Sequence, residues 1–177
     1  MTVRLLDASE ADLDTIAGLA ARTFPLACPP ELHAEVIEAF IAEHLSPEAF
    51  LRHLHAPGHE VLAARDAGGE TVGYVLLIPG TEMDPDCAGQ LVHRPTVGIS
   101  KFYVDPDHHG AGIASEMLDD VRRRSVAAGA RSIWLATNVA NARARRFYVK
   151  HGFVDRGNRT FDVGGVANTD VVYELAL

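Results

Sequence analysis

The sequence predicts an α/β fold of mixed α+β character: a central mixed, mostly antiparallel sheet of about six to seven strands, flanked by helices on both faces. Three observations predict it. Two apolar strand segments joined by Asp66-Ala-Gly-Gly69 read as a hairpin, which demands antiparallel pairing. Two later strand–helix–strand units demand parallel neighbours. Apolar residues at helical spacing recur through the first third of the chain, supplying layers that cover a sheet. The 177 residues suit one core, with no repeat, linker or low-complexity stretch, so residues 1–177 are expected to form one domain.

The elements follow in order. Thr2 to Leu6 reads as a short strand. Ser9 then looks like a helix cap with Asp12 three residues on, the spacing of a capping box. Leu13, Ile16, Ala17 and Ala20 line one face of the helix that follows, which is expected to stop near Pro25. A second helix is expected from Pro29-Pro30-Glu31, with Leu32, Val36, Ile37, Phe40, Ile41 and Leu45 on its apolar face. Ser46 caps a third, Pro47 fits its first turn, and Ala56-Pro57-Gly58 ends it.

The period then changes to that of strands. Glu60 to Arg65 and Thr71 to Ile78 are the hairpin strands. Pro79 to Pro95 is a polar loop longer than a turn requires, and so a candidate for function. Thr96 to Val104 is a strand, Gly112 to Ala127 a helix, Arg131 to Thr137 a strand, and Asn141 to Lys150 a helix ended by Gly152. Two closing strands are expected over Phe153–Val163 and Asp170–Leu175.

Composition narrows the function. Net charge is −8 with a pI near 5.5, which speaks against nucleic-acid binding, where a concentrated basic face is needed. No apolar run is long enough to span a bilayer, and the N-terminal residues turn polar too early for a signal peptide. Cys28 and Cys87 lack metal-like spacing and read as free thiols in a reducing cytoplasm. The nine histidines include the close pairs His53/His55 and His108/His109, but neither has helical i, i+4 spacing, so no metal is expected.

The segment Tyr103-Val-Asp-Pro-Asp-His-His-Gly-Ala-Gly-Ile-Ala114 leaves a strand and enters a helix. Pro106 ends the strand, and Gly110 and Gly112 let successive backbone N–H groups converge ahead of the positive helix end, a generic anion site. A glycine turn that merely caps a helix is the plainer alternative. A Rossmann loop is disfavoured, because the third glycine is missing and the next strand closes on Thr137-Asn138 rather than an acid; a Walker loop is excluded for want of Gly-Lys-Ser/Thr.

Past the next strand stands Asn141-Ala-Arg-Ala144-Arg-Arg-Phe147-Tyr148-Val-Lys150-His-Gly152-Phe153. Together the two blocks resemble the GNAT superfamily of N-acetyltransferases. The second block matches that family's Asn-x-x-Ala-x-x-Phe-Tyr-x-Lys-x-Gly-Phe at every fixed position; the first departs from it where His109 replaces the usual Arg or Gln. The resemblance spans nearly the whole chain. It implies a GNAT-like fold and transfer of an acetyl group from acetyl-CoA, as co-substrate, to a primary amine by direct attack.

The resemblance also implies site residues. The backbone of Phe102, Tyr103 and Val104 would bind the pantetheine arm, inserted like an extra strand, and polarise the thioester carbonyl. His109, Gly110, Ala111, Gly112, Ile113 and Ala114 would hold the pyrophosphate, with Ser115 adding a hydroxyl. Asn141 would touch the cofactor arm, though an N-cap role accounts for it as well. Tyr148 would be the general acid for the departing thiolate; an aromatic core pair with Phe147 is the alternative. Lys150 would contact a cofactor phosphate or stabilise its helix end.

The general base has no such marker. The strand Val97–Val104 holds no carboxylate, and Lys101 reads as a stem packed on the sheet; Glu82, Asp84, Asp86 and His93 of the long loop are candidates. Phe161, Tyr173 and the helices from Pro29 to Leu54 are expected to line the acceptor side. A small-molecule amine, polyamine-like or an amino compound, is the first acceptor class and a protein N-terminus or lysine the second; a non-catalytic acyl-CoA-binding module is the alternative of another kind. No nucleic-acid or membrane partner is expected, and a homodimer is compatible with the sequence.

Overall fold

The computed structural model describes residues 2–177. Seven strands, β1 (Arg4–Asp7), β2 (Glu60–Arg65), β3 (Thr71–Pro79), β4 (Thr96–Val104), β5 (Ser132–Asn138), β6 (Val154–Val163) and β7 (Val166–Ala176), form one sheet in the order β1-β2-β3-β4-β5-β7-β6. Every neighbouring pair is antiparallel except β4–β5, which is parallel. The sheet is thus mixed and mostly antiparallel, as predicted.

Five helices cover it: α1 (Leu13–Ala27), α2 (Ala34–His44), α3 (Pro47–His55), α4 (Ile113–Ala127) and α5 (Ala142–Lys150). Alternation along the strands divides the apolar side chains between the two faces. Leu62, Val75, Leu77, Ile133 and Tyr173 meet Met117, Leu118 and Val121 of α4 and Tyr148 of α5. Val61, Ala63, Tyr74 and Leu76 meet Ile16, Leu19 and Phe24 of α1, Phe40 of α2 and Phe50 of α3. Each such Leu, Ile or Phe taken from water contributes roughly 1.5–3 kcal/mol before entropy is counted.

Local signals behave as their chemistry requires. Ser9 N–H donates to the Asp12 carboxylate at 2.8 Å, and Ser46 Oγ accepts from Ala49 N–H at 3.2 Å with Pro47 in the first turn of α3. Four boundaries differ from expectation by two residues or more. The first strand begins at Arg4 and reaches Asp7. Helix α1 continues past Pro25 to Ala27, because a proline in the last turn removes one hydrogen bond and its own carbonyl still accepts from Cys28 N–H at 3.3 Å. Helix α2 starts at Ala34, since Pro29-Pro30 disfavours helical backbone before it and leaves only a turn from Pro29 to Leu32. Strand β7 begins at Val166, directly after a two-residue Gly164-Gly165 turn, so β6 and β7 make a long hairpin.

Candidate active site

The parallel ladder between β4 and β5 is short. It joins Thr96–Gly98 to Ser132–Trp134 and goes no further. Beyond Gly98 the strands splay, and residues 99–104 of β4 have no strand on the side away from β3. The vertex is built from tight contacts. Ser132 Oγ lies 2.8 Å from both Thr96 Oγ1 and the His93 carbonyl oxygen, and Trp134 Nε1–H donates to Gly80 O at 2.8 Å. At Gly98 an added Cβ would fall 2.7 Å from the end of the Met83 side chain and 3.1 Å from Trp134 Nε1, so a larger residue would have to displace Met83 from its packing against the strand.

One step along β4, Leu76 faces Lys101 and Leu77 faces Ile99 on the neighbouring strand, leaving Ser100 as a β-bulge. A bulge turns the strand, and here it sits where the splay begins.

The gap opens into two adjoining clefts. The larger, about 350 Å³, runs from Phe102, Tyr103 and Val104 to the glycine loop and α5. The smaller, about 150 Å³, lies towards α1, α2 and the β6–β7 hairpin. Phe102, Tyr103, Asn141, Ala144 and Tyr148 line both.

The loop geometry follows from the strand-ending proline and the glycines. Asp105 anchors its start: Oδ2 accepts from Arg22 Nη2 at 2.8 Å and Oδ1 from Asp107 N–H at 3.0 Å. Burial pushes the Asp105 carboxyl up, but these donors outweigh it and leave it below the usual carboxylate range. Gly112 caps α4 at φ +78°, a left-handed conformation that puts strain on any side chain. Its carbonyl accepts from Ser115 and Glu116 N–H at 3.1 and 3.2 Å. The N–H groups of Ile113 and Ala114 precede the first helical bond, at the positive helix end, and both residues line the larger cleft.

The sequence-predicted residues distribute as follows. His109, Gly110, Gly112, Ile113, Ala114 and Ser115 line the larger cleft with Phe102, Tyr103 and Val104. Ala111 lies in the loop but off the cleft wall, and Lys150 is exposed at the end of α5, off both clefts. Asn141 caps α5, its Oδ1 accepting from Ala144 N–H at 3.1 Å, and it lines both clefts. His109 is held between elements. Arg143 Nη1–H donates to its Nδ1 at 2.8 Å, which makes Nε2 the protonated nitrogen, and that N–H donates to Val104 O at 3.2 Å. Ser115 Oγ–H donates to His151 Nε2 at 3.1 Å, while His151 Nδ1–H donates to Phe147 O at 2.8 Å.

Tyr148 is 7% exposed, packed edge-on against Phe147 and Phe153 at centroid distances of 5.3 and 5.2 Å. Burial, with the neighbouring Tyr103 adding to it, pushes its phenol above the ordinary tyrosine value, so it stays protonated at neutral pH.

Sequence reasoning missed much of the smaller cleft. Lys101 is no mere stem: it lines this cleft, and burial, with help from Arg159 and against Asp170, pushes its ammonium down to about 8. Arg159 donates to Asp170 Oδ2 at 3.2 Å and to Asp84 Oδ2 at 3.1 Å, and its guanidinium lies 5.0 Å from the Phe161 ring centroid. Phe161 lines the cleft as expected. Tyr173 does not; alternation puts it in the core on the opposite face, where its oxygen accepts from Arg145 Nε at 3.2 Å. Of the loop candidates for a base, Asp84 is spent on Arg159, Glu82 sits on His59 at 3.2 Å, and His93 lies 3.6 Å from Glu174. Cys28 and Cys87 are free thiols, and burial pushes Cys28, on the cleft wall, up to about 11. Among the described residues no group of three or more His, Cys, Asp or Glu converges, and no helix is long and apolar enough to cross a membrane.

A splayed parallel pair with a glycine-capped helix start beside it is the arrangement expected of an acyl-CoA-dependent transferase. The comparisons agree: the model of the acetyltransferase (GNAT) family matches residues 19–153, and the chain belongs to that family. It is similar to an uncharacterized N-acetyltransferase of Mycobacterium tuberculosis, 40% identical over 161 residues that cover 91% of this chain and 95% of the relative. Its fold matches the PaiA N-acetyltransferase of Thermoplasma acidophilum, solved in complex with coenzyme A, at TM-score 0.77, with 19% identity and full coverage of both chains. It also matches a spermidine/spermine N-acetyltransferase of Vibrio cholerae at TM-score 0.68, with 19% identity over 98% of this chain and 93% of the other. At such identity these structures speak to the fold.

Proposed function

We propose that this enzyme, as one domain over residues 1–177, transfers an acetyl group from acetyl-CoA to the primary amine of a small molecule by direct attack. The observation that carries the reading is Tyr148, which stands where the two clefts meet and lines both. The larger cleft is the donor side. Its unpaired β4 edge at Phe102, Tyr103 and Val104 takes the pantetheine arm, and the amides from Gly110 to Ala114 take the pyrophosphate. Ala111 contributes its backbone only. Lys150, exposed on the last turn of α5, acts on the helix end rather than on the cofactor.

The smaller cleft admits the amine. Its neutral nitrogen attacks the thioester carbonyl, and the oxyanion develops against backbone N–H groups of β4. As the C–S bond breaks, the Tyr148 O–H meets the thiolate. A phenol raised above about 10 is a weaker acid than a thiol near 8.5, so Tyr148 stabilises the thiolate by hydrogen bonding, and the proton lost by the amine ends on sulfur. Cys28, the one thiol on the wall, is protonated at neutral pH and unsuited to carrying the acyl group, which favours direct transfer.

The test is release of coenzyme A thiol from acetyl-CoA with a panel of primary amines, beside Tyr148→Phe. Amine-dependent release that falls in the variant is expected; equal rates for both proteins would remove Tyr148 from the mechanism. Thermal stabilisation by acetyl-CoA and not by NAD is the accompanying expectation.

A further inference from the structure

The acceptor cleft has an annex. Beyond Ser100, Lys101 and Phe161 a further cleft of about 330 Å³ continues between α3 and the β6–β7 hairpin, so that Lys101 stands on a wall common to both spaces. Its charge is unlike the rest of this acidic chain. Lys101 and Arg52 face it, with His44 and His53, against the single carboxylate of Asp162. Asp162 already accepts from Gly165 N–H at 2.8 Å, and His44 lies 3.7 Å from Glu43.

Neither cation is ion-paired, although Asp170 attracts Lys101 from the side of the smaller cleft. The Lys101 ammonium donates only to its neighbour Ser100, at 3.2 Å to the carbonyl and 3.5 Å to the hydroxyl. Arg52 donates to the Glu43 carbonyl at 3.2 Å. Among the described residues neither has a carboxylate at ion-pair distance, whereas Arg159, on the acceptor-side wall, holds two. The field is felt by His53, whose imidazole is pushed down to about 4 by burial and by His59, Lys101 and Arg52. A second ammonium entering here would meet like charge in a partly desolvated space.

We propose that the annex is an anion subsite, and that the acceptor is a primary amine carrying a carboxylate or phosphate that docks on Lys101 and Arg52 while its amino group enters the cleft at Tyr148. The inference rests on the transferase reading above and narrows its acceptor from amines in general, polyamines included, to amino compounds with a negative group. Lys101 provides a desolvated point charge at the junction and Arg52 a planar fork on the far wall, a pair suited to an oxyanion.

The experiment compares matched acceptors with acetyl-CoA and thiol detection: 4-aminobutyrate against butylamine and putrescine, and O-phosphoethanolamine against ethanolamine. We expect at least one anionic member to exceed its counterpart without the anionic group in kcat/KM by about tenfold or more, through KM, with the two pairs telling carboxylate from phosphate. That ratio should collapse towards unity in Lys101→Met and Arg52→Ala and survive in Lys101→Arg. Failure of both anionic members to exceed their counterparts overturns the subsite and leaves the transferase reading standing. So does a fall in kcat by the same factor for every amine in Lys101→Met. If no amine is acetylated, the transferase reading fails, and calorimetric titration of 4-aminobutyrate and O-phosphoethanolamine into the coenzyme A-loaded protein decides the subsite: saturable binding lost in Lys101→Met supports it, and no binding overturns it.

Discussion

The two clefts share a wall but are made of different material. The larger cleft, proposed for the donor, has an unpartnered strand edge and a glycine-capped helix start among side chains such as Leu26, Arg143 and Phe147. The smaller, proposed for the acceptor, is lined from α1, α2, β4 and the β6–β7 hairpin and carries Lys101, Arg159 and Asp170. Backbone donors recognise a group common to every thioester of coenzyme A and change little when side chains are exchanged. Side chains from scattered elements can be exchanged one at a time. On the assignment of the clefts proposed above, a transferase so divided can keep its donor while its acceptor varies.

Four measurements would break or sharpen that contrast. The largest effect is expected at the shared wall: Tyr148→Phe removes one oxygen from a packed ring and should lower kcat about 100-fold, with acetyl-CoA affinity held, as read by thiol release and calorimetry. Because the phenol is raised, no loss of kcat between pH 7 and pH 9 should trace to its ionisation. Next comes a site in neither cleft. Glu174 is fully buried and accepts from His93 N–H at 2.9 Å and Arg156 Nε at 2.9 Å, so Glu174→Gln should cost about 2 kcal/mol of unfolding free energy at pH 7. Burial raises this carboxyl, yet its donors outweigh burial and leave it depressed. Its contribution is therefore present above the unfolded value of about 4.3 and lost as pH falls through the folded one, so urea titrations of variant and wild type should converge in acid.

The third tests the backbone claim directly. Gly112→Ala places a side chain at φ +78° with nothing within 4 Å to clash with, so its effect is conformational; acetyl-CoA affinity should fall about tenfold while the acceptor KM holds. An unchanged affinity would return the loop to a plain helix cap. The smallest is His109→Ala, which removes the tie from Arg143 to Val104 and should weaken acetyl-CoA two- to threefold, about the range of an exposed hydrogen bond. A much larger loss would mean that side chains, not amides, hold the donor.

The same division explains what could be read from the sequence. Asn141 to Phe153 was legible because cap, aromatic pair and terminal glycine act within one helix, so their spacing is their geometry. The Gly110–Gly112 loop was half legible: its conformation is local, but its ligand is specified only with α5 beside it. Lys101 was not legible. Strand periodicity says which face it takes, not that Arg52 of α3 and Arg159 of β6 meet it there. Tyr173 failed for the converse reason, since the start of β7 was misplaced and its alternation could not be anchored until the Gly164-Gly165 turn fixed the register with β6. The loop Pro79 to Pro95, marked for chemistry by its length, instead supplies Gly80, Met83 and His93 to the vertex.

That vertex has a mechanical meaning. Two parallel strands joined at Thr96–Gly98 part beyond it, each still held along its outer side, β4 by β3 and β5 by β7. From Gly98 to Val104 the strand is roughly 20 Å long at about 3.3 Å per residue, so one degree of tilt at the junction moves its tip by about a third of an ångström. Where an ångström of misplacement can cost about a hundredfold in rate, the contacts of Ser132 and Trp134 that fix this junction would, on the proposed assignment of the clefts, set how donor and acceptor meet.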